Sequence, residues 1–212
     1  MRTNLDTIAG NNPVNYVNWY DAITYCNKLS IAEGLAPCYT VEGVEDWTSL
    51  AYGSIPTSDD TKWDAATCDF TANGYRLPTE AEWEWAARGG KVVDGVIKTD
   101  GTTYAGSNTI GEVAWYTTNT SDKSTKEVMT LKANGNGLYD MSGNIGEFCW
   151  DWSDSITTST ASTGPTSGSY RVIRGGYWYI SEDKCTVSYR TNYSPSDRNW
   201  YFGFRVVRTV VE

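Results

Sequence analysis

Histidine does not occur anywhere in the 212 residues. Its absence removes Ser-His-Asp triads, imidazole general bases and histidine-ligated metals together. Basic residues are scarce too: 17 Lys and Arg stand against 26 Asp and Glu, a formal net charge of −9. So acidic a chain repels phosphate backbones, and no nucleic acid is expected as a partner. No polybasic run addresses anionic lipid, and no apolar stretch reaches membrane-spanning length, so direct membrane insertion is not expected. The first twelve residues are polar and lack a signal-peptide core; any export signal is expected outside these residues. Cysteine pairing motifs are missing as well. Cys26, Cys38, Cys68, Cys149 and Cys185 form no CxxC, which argues against a structural zinc site. Their odd count and wide spacing allow one or two disulfides or none, with buried inert thiols the plain expectation. Cysteine usage does not decide the compartment.

Tyrosine and tryptophan are plentiful: fifteen Tyr and ten Trp far outnumber four Phe. Both pair a large apolar body with a polar handle, which suits binding surfaces as well as cores. Length and a 40% apolar content fit one domain with a real core spanning residues 1–212.

Two helices are legible. Asn18 to Ser30 opens on a capping Asn18 with Asp21 at the third helical position, and Trp19, Ala22, Ile23, Cys26 and Leu29 share one face; Gly34 stops it. In "YRLPTEAEWEWAARGG", Thr79 and Glu82 form a capping box and Gly89-Gly90 terminates. Trp83, Ala86 and Ala87 make its apolar stripe, and Trp83, Trp85 and the alanines are expected in the core. The crowded Glu80, Glu82 and Glu84 are expected to serve capping and the helix dipole. Between these helices, residues 35–74 read as a long connector with short strands, anchored by Trp47 and Trp63. After Lys91 there is no long helix. Residues 134–152 are turn-dense with aromatic anchors, 153–169 read as a mobile surface loop, and 170–178 and 201–211 read as strands. The expected class is α+β.

Four blocks in order carry a family resemblance: "PVNYVNWYDAITYCNKLS" at 13–30, "GYRLPTEAEWEWAARGG" at 74–90, "GNGLYDMSGNIGEFCWDW" at 135–152, and "RVIRGGYW…C…R…GFRVVR" across 171–208. The chain resembles the formylglycine-generating-enzyme-like, or sulfatase-modifying-factor, family. That resemblance implies a C-type-lectin-like fold, with two helices beside small twisted antiparallel sheets and long loops carrying the site. The family has a further stretch before the first block than precedes it here.

The family's oxidases hold copper with two cysteines, which would fall at Glu182 and Val187 here; only Cys185 lies nearby. One thiolate cannot supply the paired soft site that copper(I) needs. Related sulfoxide synthases use histidine-ligated iron, and there is no histidine. The expectation is a scaffold without a redox cofactor and without catalytic residues. The alternative is an oxidoreductase of the same family with altered metal chemistry. The resemblance also places a structural calcium ion in "LYDMSGNIGEF", held by the side chains of Asp140 and Glu147 and the carbonyls of Gly143 and Ile145. The chemistry is reasonable for a hard ion. Equally, Asp140 and Glu147 read as acceptors for turn amides.

Between "RVIRGG" and "GFRVV" lies a segment, about 177–202, that mixes rigid rings with small polar groups as antibody paratopes do. Its expected ligand contacts are the apolar and aromatic Tyr177, Tyr179, Ile180, Tyr189, Tyr193, Trp200, Tyr201 and Phe202. The expected polar contacts are Ser181, Asp183, Thr191, Asn192, Ser194, Ser196 and Asp197. The segment also resembles the variable region of retroelement-diversified proteins. There, mutation of asparagine-type codons at adenines yields Tyr, Ser, Asp, Thr, Ile and Phe as well as unchanged Asn. Framework residues such as Arg174, Gly175, Gly176, Trp178, Cys185, Arg190, Pro195, Arg198, Gly203 and Phe204 stand outside that set. The resemblance implies a non-enzymatic binding protein at the cell surface or outside the cell, whose partner is a macromolecule, such as a protein on another cell or a host. Sugar binding is less supported, because the usual calcium-and-carbohydrate tripeptides are absent.

Overall fold

The computed structural model describes residues 10–157 and 161–209. Parts of the expected N-terminal stretch, of the 153–169 loop and of the last strand lie outside the described residues. Three helices and twelve short strands are present in the described residues.

Helix α1, Trp19–Ala32, starts where expected. The Asn18 side chain accepts from the Asp21 amide at 2.9 Å and the Asp21 carboxylate accepts from the Asn18 amide at 3.0 Å. The helix runs two residues past the expected end, and Gly34 follows at φ +71°. Trp19, Ala22, Ile23 and Cys26 are buried, whereas Leu29 is only half-buried. Polar residues do the tying instead. Asn27 bonds both the carbonyl and the amide of Tyr39, and the Ser30 hydroxyl accepts from the Tyr75 amide. One turn of helix, α2 at Thr61–Asp64, capped by Asp60, seats Trp63 in the core. Nothing in so short a run separates it from a turn by pattern.

Helix α3, Glu80–Ala87, carries the expected Thr79–Glu82 box. Trp83 and Ala87 face inward, but Trp85 is 39% exposed, contrary to its expected core place. Two residues from Trp83 lies about 200° round the helix, so both indoles cannot face one core.

The strands are β1 (Tyr39–Thr40), β2 (Thr67–Cys68), β3 (Tyr75–Arg76), β4 (Lys91–Val93), β5 (Val96–Lys98), β6 (Ala114–Trp115), β7 (Ser142–Gly143), β8 (Gly146–Trp152), β9 (Arg171–Arg174), β10 (Arg190–Tyr193), β11 (Phe202–Gly203) and β12 (Val207–Arg208). The main sheet has the order β10-β9-β8-β11, with β11 parallel to β8 and the other pairs antiparallel. The pairs β1-β2, β12-β3, β4-β5 and β6-β7 stand as small two-stranded ribbons. Nearly every residue of β8 is buried, so no alternation marks it in the sequence.

Trp19, Ile23, Phe148, Ile173 and Phe202 form the heart of the core. Arg171 lies inside it, its guanidinium 3.6 Å and 3.5 Å from the ring centres of Trp19 and Trp152. All five cysteines are free thiols, and only Cys68 is not fully buried.

Candidate ligand-binding face

The segment from Tyr177 to Phe202 follows β9, supplies β10 and the start of β11, the two outer strands of the main sheet, and is held by the framework residues. The Gly175-Gly176 corner has φ +94° and +71°, and a Cβ on Gly176 would stand 2.4 Å from the Lys184 carbonyl, so only glycine makes this turn. Arg174 at the end of β9 is 1% exposed. It donates to the carbonyls of Val187, Ser188 and Tyr189 at 3.1, 2.9 and 2.7 Å, and pairs with Glu84 and, at 3.7 Å, Glu80. Arg190 grips both oxygens of Glu80 at 2.8 Å, and Arg198 grips both oxygens of Asp21 at 2.8 and 2.9 Å. Bidentate pairs of this kind fix orientation as well as position. Glu80 and Glu84 therefore do more than serve the helix dipole, as the sequence suggested: they are the anchor points of the segment.

Beneath Glu80 sits Asp151, whose carboxylate accepts the Glu80 amide at 2.7 Å. Burial, with the charge of Glu80 adding, pushes the Asp151 carboxyl up to about 6 from 3.8. A raised folded-state value means that the folded chain binds the extra proton, so stability falls as pH rises from about 4 to about 6. Asp151→Asn keeps the acceptor and removes that titration. Its stability should match the parent's near pH 3 and exceed it at pH 7.5 by on the order of 3 kcal/mol. Melting curves across pH check this; parallel curves would contradict it.

On this frame the expected contacts divide by exposure. Tyr179 and Trp200 are 52% and 60% exposed, and Ser181, Asp183, Asn192 and Asp197 are exposed too. Tyr177, Ile180, Tyr189, Thr191, Tyr193, Ser194, Ser196 and Tyr201 are half-buried. Phe202 is the correction. It is fully buried, on the inward side of β11 against Phe148 at 5.9 Å, and cannot touch a ligand. Instead it is the floor of the ring cluster: Tyr193 lies 4.3 Å and Tyr201 5.0 Å from it, and Tyr177 stacks on Tyr201 at 4.3 Å and 14°. Burial, then the neighbouring phenols of Tyr193 and Tyr201, push Tyr177 up to about 12. Trp178 is buried as expected of a framework residue, and the Thr120 hydroxyl donates to its carbonyl.

Three residues far away in sequence join the face. The Tyr16 ring meets Trp200 at 4.5 Å, from a backbone held at φ +58°. Lys123 sits 5.7 Å over the Tyr179 ring. The Asp59 carboxylate accepts from the hydroxyls of Ser194 and Ser196 at 2.5 Å each. No local pattern marks them, because each is brought in by a loop.

Where paired cysteines would sit, Val187 is buried and Glu182 is exposed in a short turn. Cys185 is fully buried, and burial pushes its thiol up to about 12. Both burial and the raised value disfavour the thiolate.

The residues that the resemblance assigns to calcium are largely engaged with other partners in this arrangement. Glu147 accepts from Arg205 through both oxygens, at 2.5 and 2.7 Å, and from the Trp83 indole at 2.7 Å. Asp140 accepts from the Met129 amide and the Asn144 side chain, and the Gly143 carbonyl accepts from the Ile145 amide. Three of the four would-be ligands thus already face donors, and one full positive charge stands on Glu147. A hard dication favours uncompensated oxygens.

A model of the sulfatase-modifying factor enzyme 1-like domain matches residues 2–210. The chain belongs to the sulfatase-modifying factor enzyme 1-like family. Among solved structures, this family member superposes on Treponema denticola variable protein 1 with a TM-score of 0.85 and 44% identity, covering 94% of this chain and 73% of that one. It is also 38% identical over 213 residues to the chaperone protein LppX of Paenibacillus barcinonensis, across 93% of this chain and 70% of LppX. The formylglycine-generating enzyme of Streptomyces coelicolor is 34% identical over 155 residues, 68% of this chain but only 49% of that enzyme. The α+β, C-type-lectin-like architecture and the resemblance to variable proteins are therefore both borne out for this sulfatase-modifying factor enzyme 1-like chain.

Proposed function

We propose that this protein is a non-enzymatic binding protein that presents a diversified site on a sulfatase-modifying-factor scaffold. The observation that carries the reading is the pairing of exposed rings with a fixed frame. Tyr179 and Trp200 face solvent, while Arg174, Arg190 and Arg198 lock the segment that bears them. A rigid frame limits the ordering entropy lost on binding, and aromatic rings supply contact area at low rotamer cost. The positions of the family's paired cysteines hold Glu182 and Val187, which favours binding over oxygen chemistry. The likeness to a variable protein supports a face that differs between copies. The partner is then a macromolecule, such as a protein on another cell or a host, and the place of work is the cell surface or outside the cell.

Tyr193→Ala with Trp200→Ala is the test. Binding to bacterial and host cell surfaces that retain the parent protein should fall at least about tenfold, the scale of one or two hot-spot rings, with the melting curve still cooperative. Unchanged binding would count against the reading. A neighbouring reverse transcriptase gene with a template copy of the 3′ end would support diversification.

In this reading Arg205 takes the cationic place that the family gives to calcium. Adding calcium, or a chelator, should therefore leave the melting temperature unchanged. A rise of several degrees with saturating calcium would restore the ion.

The likeness to a formylglycine-generating enzyme favours a second reading, an oxidoreductase with altered metal chemistry. Stoichiometric copper or iron together with oxygen consumption would favour it.

A further inference from the structure

The ring cluster carries a charge signature that narrows the kind of group it can take. Tyr177, Tyr193 and Tyr201 gather round Phe202, each half-open to solvent, and the Tyr177 and Tyr201 rings lie nearly parallel. The electron-rich faces of aromatic rings attract cations. Burial also holds the Tyr177 and Tyr193 phenols above their usual value, so these rings stay neutral at physiological pH.

Two carboxylates stand on Ser194 and Ser196, which follow Tyr193 in the chain. Asp197 is exposed and accepts from the Ser194 amide at 3.1 Å; Asp59 accepts from the Ser194 and Ser196 hydroxyls. Neither forms an ion pair among the described residues, while the nearby Arg190 and Arg198 are fully engaged by Glu80 and Asp21. The net charge of −9 adds a long-range field of the same sign. Rings plus uncompensated carboxylates, with the local arginines withdrawn inward, complement a positive group.

We propose that the Tyr177–Tyr193–Tyr201 cluster accepts a cationic side chain, a guanidinium or an ammonium, presented by the protein partner, with Asp197 and Asp59 neutralising it. This rests on the binding role proposed above. The remaining segment positions then read the partner's shape around one shared cationic anchor.

A hexa-arginine peptide is the probe, titrated against the full chain at low ionic strength, with hexaglutamate as control. Saturable binding of the arginine peptide alone is expected. Tyr177→Leu with Tyr201→Leu keeps apolar bulk but removes the ring faces, and should weaken binding about fivefold to tenfold. Tyr177→Phe with Tyr201→Phe keeps the faces and should restore it. Asp197→Asn, at an exposed position that leaves the fold intact, should weaken it by a smaller factor and flatten its salt dependence. Equal affinity in the leucine and parent proteins would mean that only bulk acidity attracts the peptide, and would overturn the proposal; so would no saturable binding. If the leucine pair fails to fold, Tyr177→Leu and Tyr201→Leu made singly carry the same comparison against Tyr177→Phe and Tyr201→Phe. Either failure would leave the wider binding role standing, provided that Tyr193→Ala with Trp200→Ala still weakens cell-surface binding by about tenfold or more.

Discussion

Arg174→Met should destabilise the protein by about 3–5 kcal/mol, the usual cost of breaking a buried ion pair. In a chain of this size that lowers the melting temperature by on the order of 10 °C. The physical reason is the number of groups that depend on one guanidinium. Arg174 is 1% exposed, and it serves three consecutive carbonyls, of Val187, Ser188 and Tyr189, as well as Glu84 and Glu80. Methionine has similar reach and no donors. The carbonyls lose partners in a place with little water, and the two carboxylates lose part of their counter-charge. Arg174→Lys separates the causes. It restores the charge but offers a single ammonium where a fork is needed, so an intermediate loss is expected. Thermal melts of the three proteins check the order. A methionine variant as stable as the parent would mean that the segment is held by other contacts.

Phe202→Ala and Trp200→Ala should differ sharply although the residues are two apart. Phe202 is completely buried against Phe148, Tyr193 and Tyr201, and truncating such a ring costs about 3–5 kcal/mol through lost transfer energy and the cavity left behind. Trp200 is 60% exposed and meets Tyr16 at the surface, so its truncation should cost within about 0.5 kcal/mol. Denaturant melts measure both. In the binding role proposed above the consequences run the other way: Trp200 belongs to the solvent-facing surface and Phe202 is the floor beneath it. Comparable stability losses in the two variants would erase the distinction between face and frame.

The frame was legible because its signals are local or chemically exclusive. The capping boxes at Asn18 and Thr79 involve residues three apart, and both form as the pattern predicts. Arg174, Arg190 and Arg198 stood out as residues foreign to the Tyr-Ser-Asp-Asn mixture around them, and each proves to be an anchor. Three failures have physical causes. Phe202 looked like its aromatic neighbours, but a two-residue strand reverses the side-chain direction at each step, which composition cannot reveal. Trp85 shares the composition of Trp83, but two residues along a helix the geometry sends it outward. The strand β8 was hidden because burial on both faces abolishes period two. Tyr16, Asp59 and Lys123 had no signal at all, since loops separated from the segment by long stretches of chain bring them to it.

The most direct measurement is a substitution scan of residues 174–204 read by protease resistance of the folded chain. Broad tolerance is expected at Tyr179, Ser181, Asp183, Asn192, Asp197 and Trp200, where many residue types should keep resistance near the parent's. Sharp intolerance is expected at Arg174, Gly176, Arg190, Arg198 and Phe202. Should the solvent-facing positions prove as restrictive as the arginines and glycine beneath them, the segment is ordinary core, and the case for a face free to change its ligand collapses.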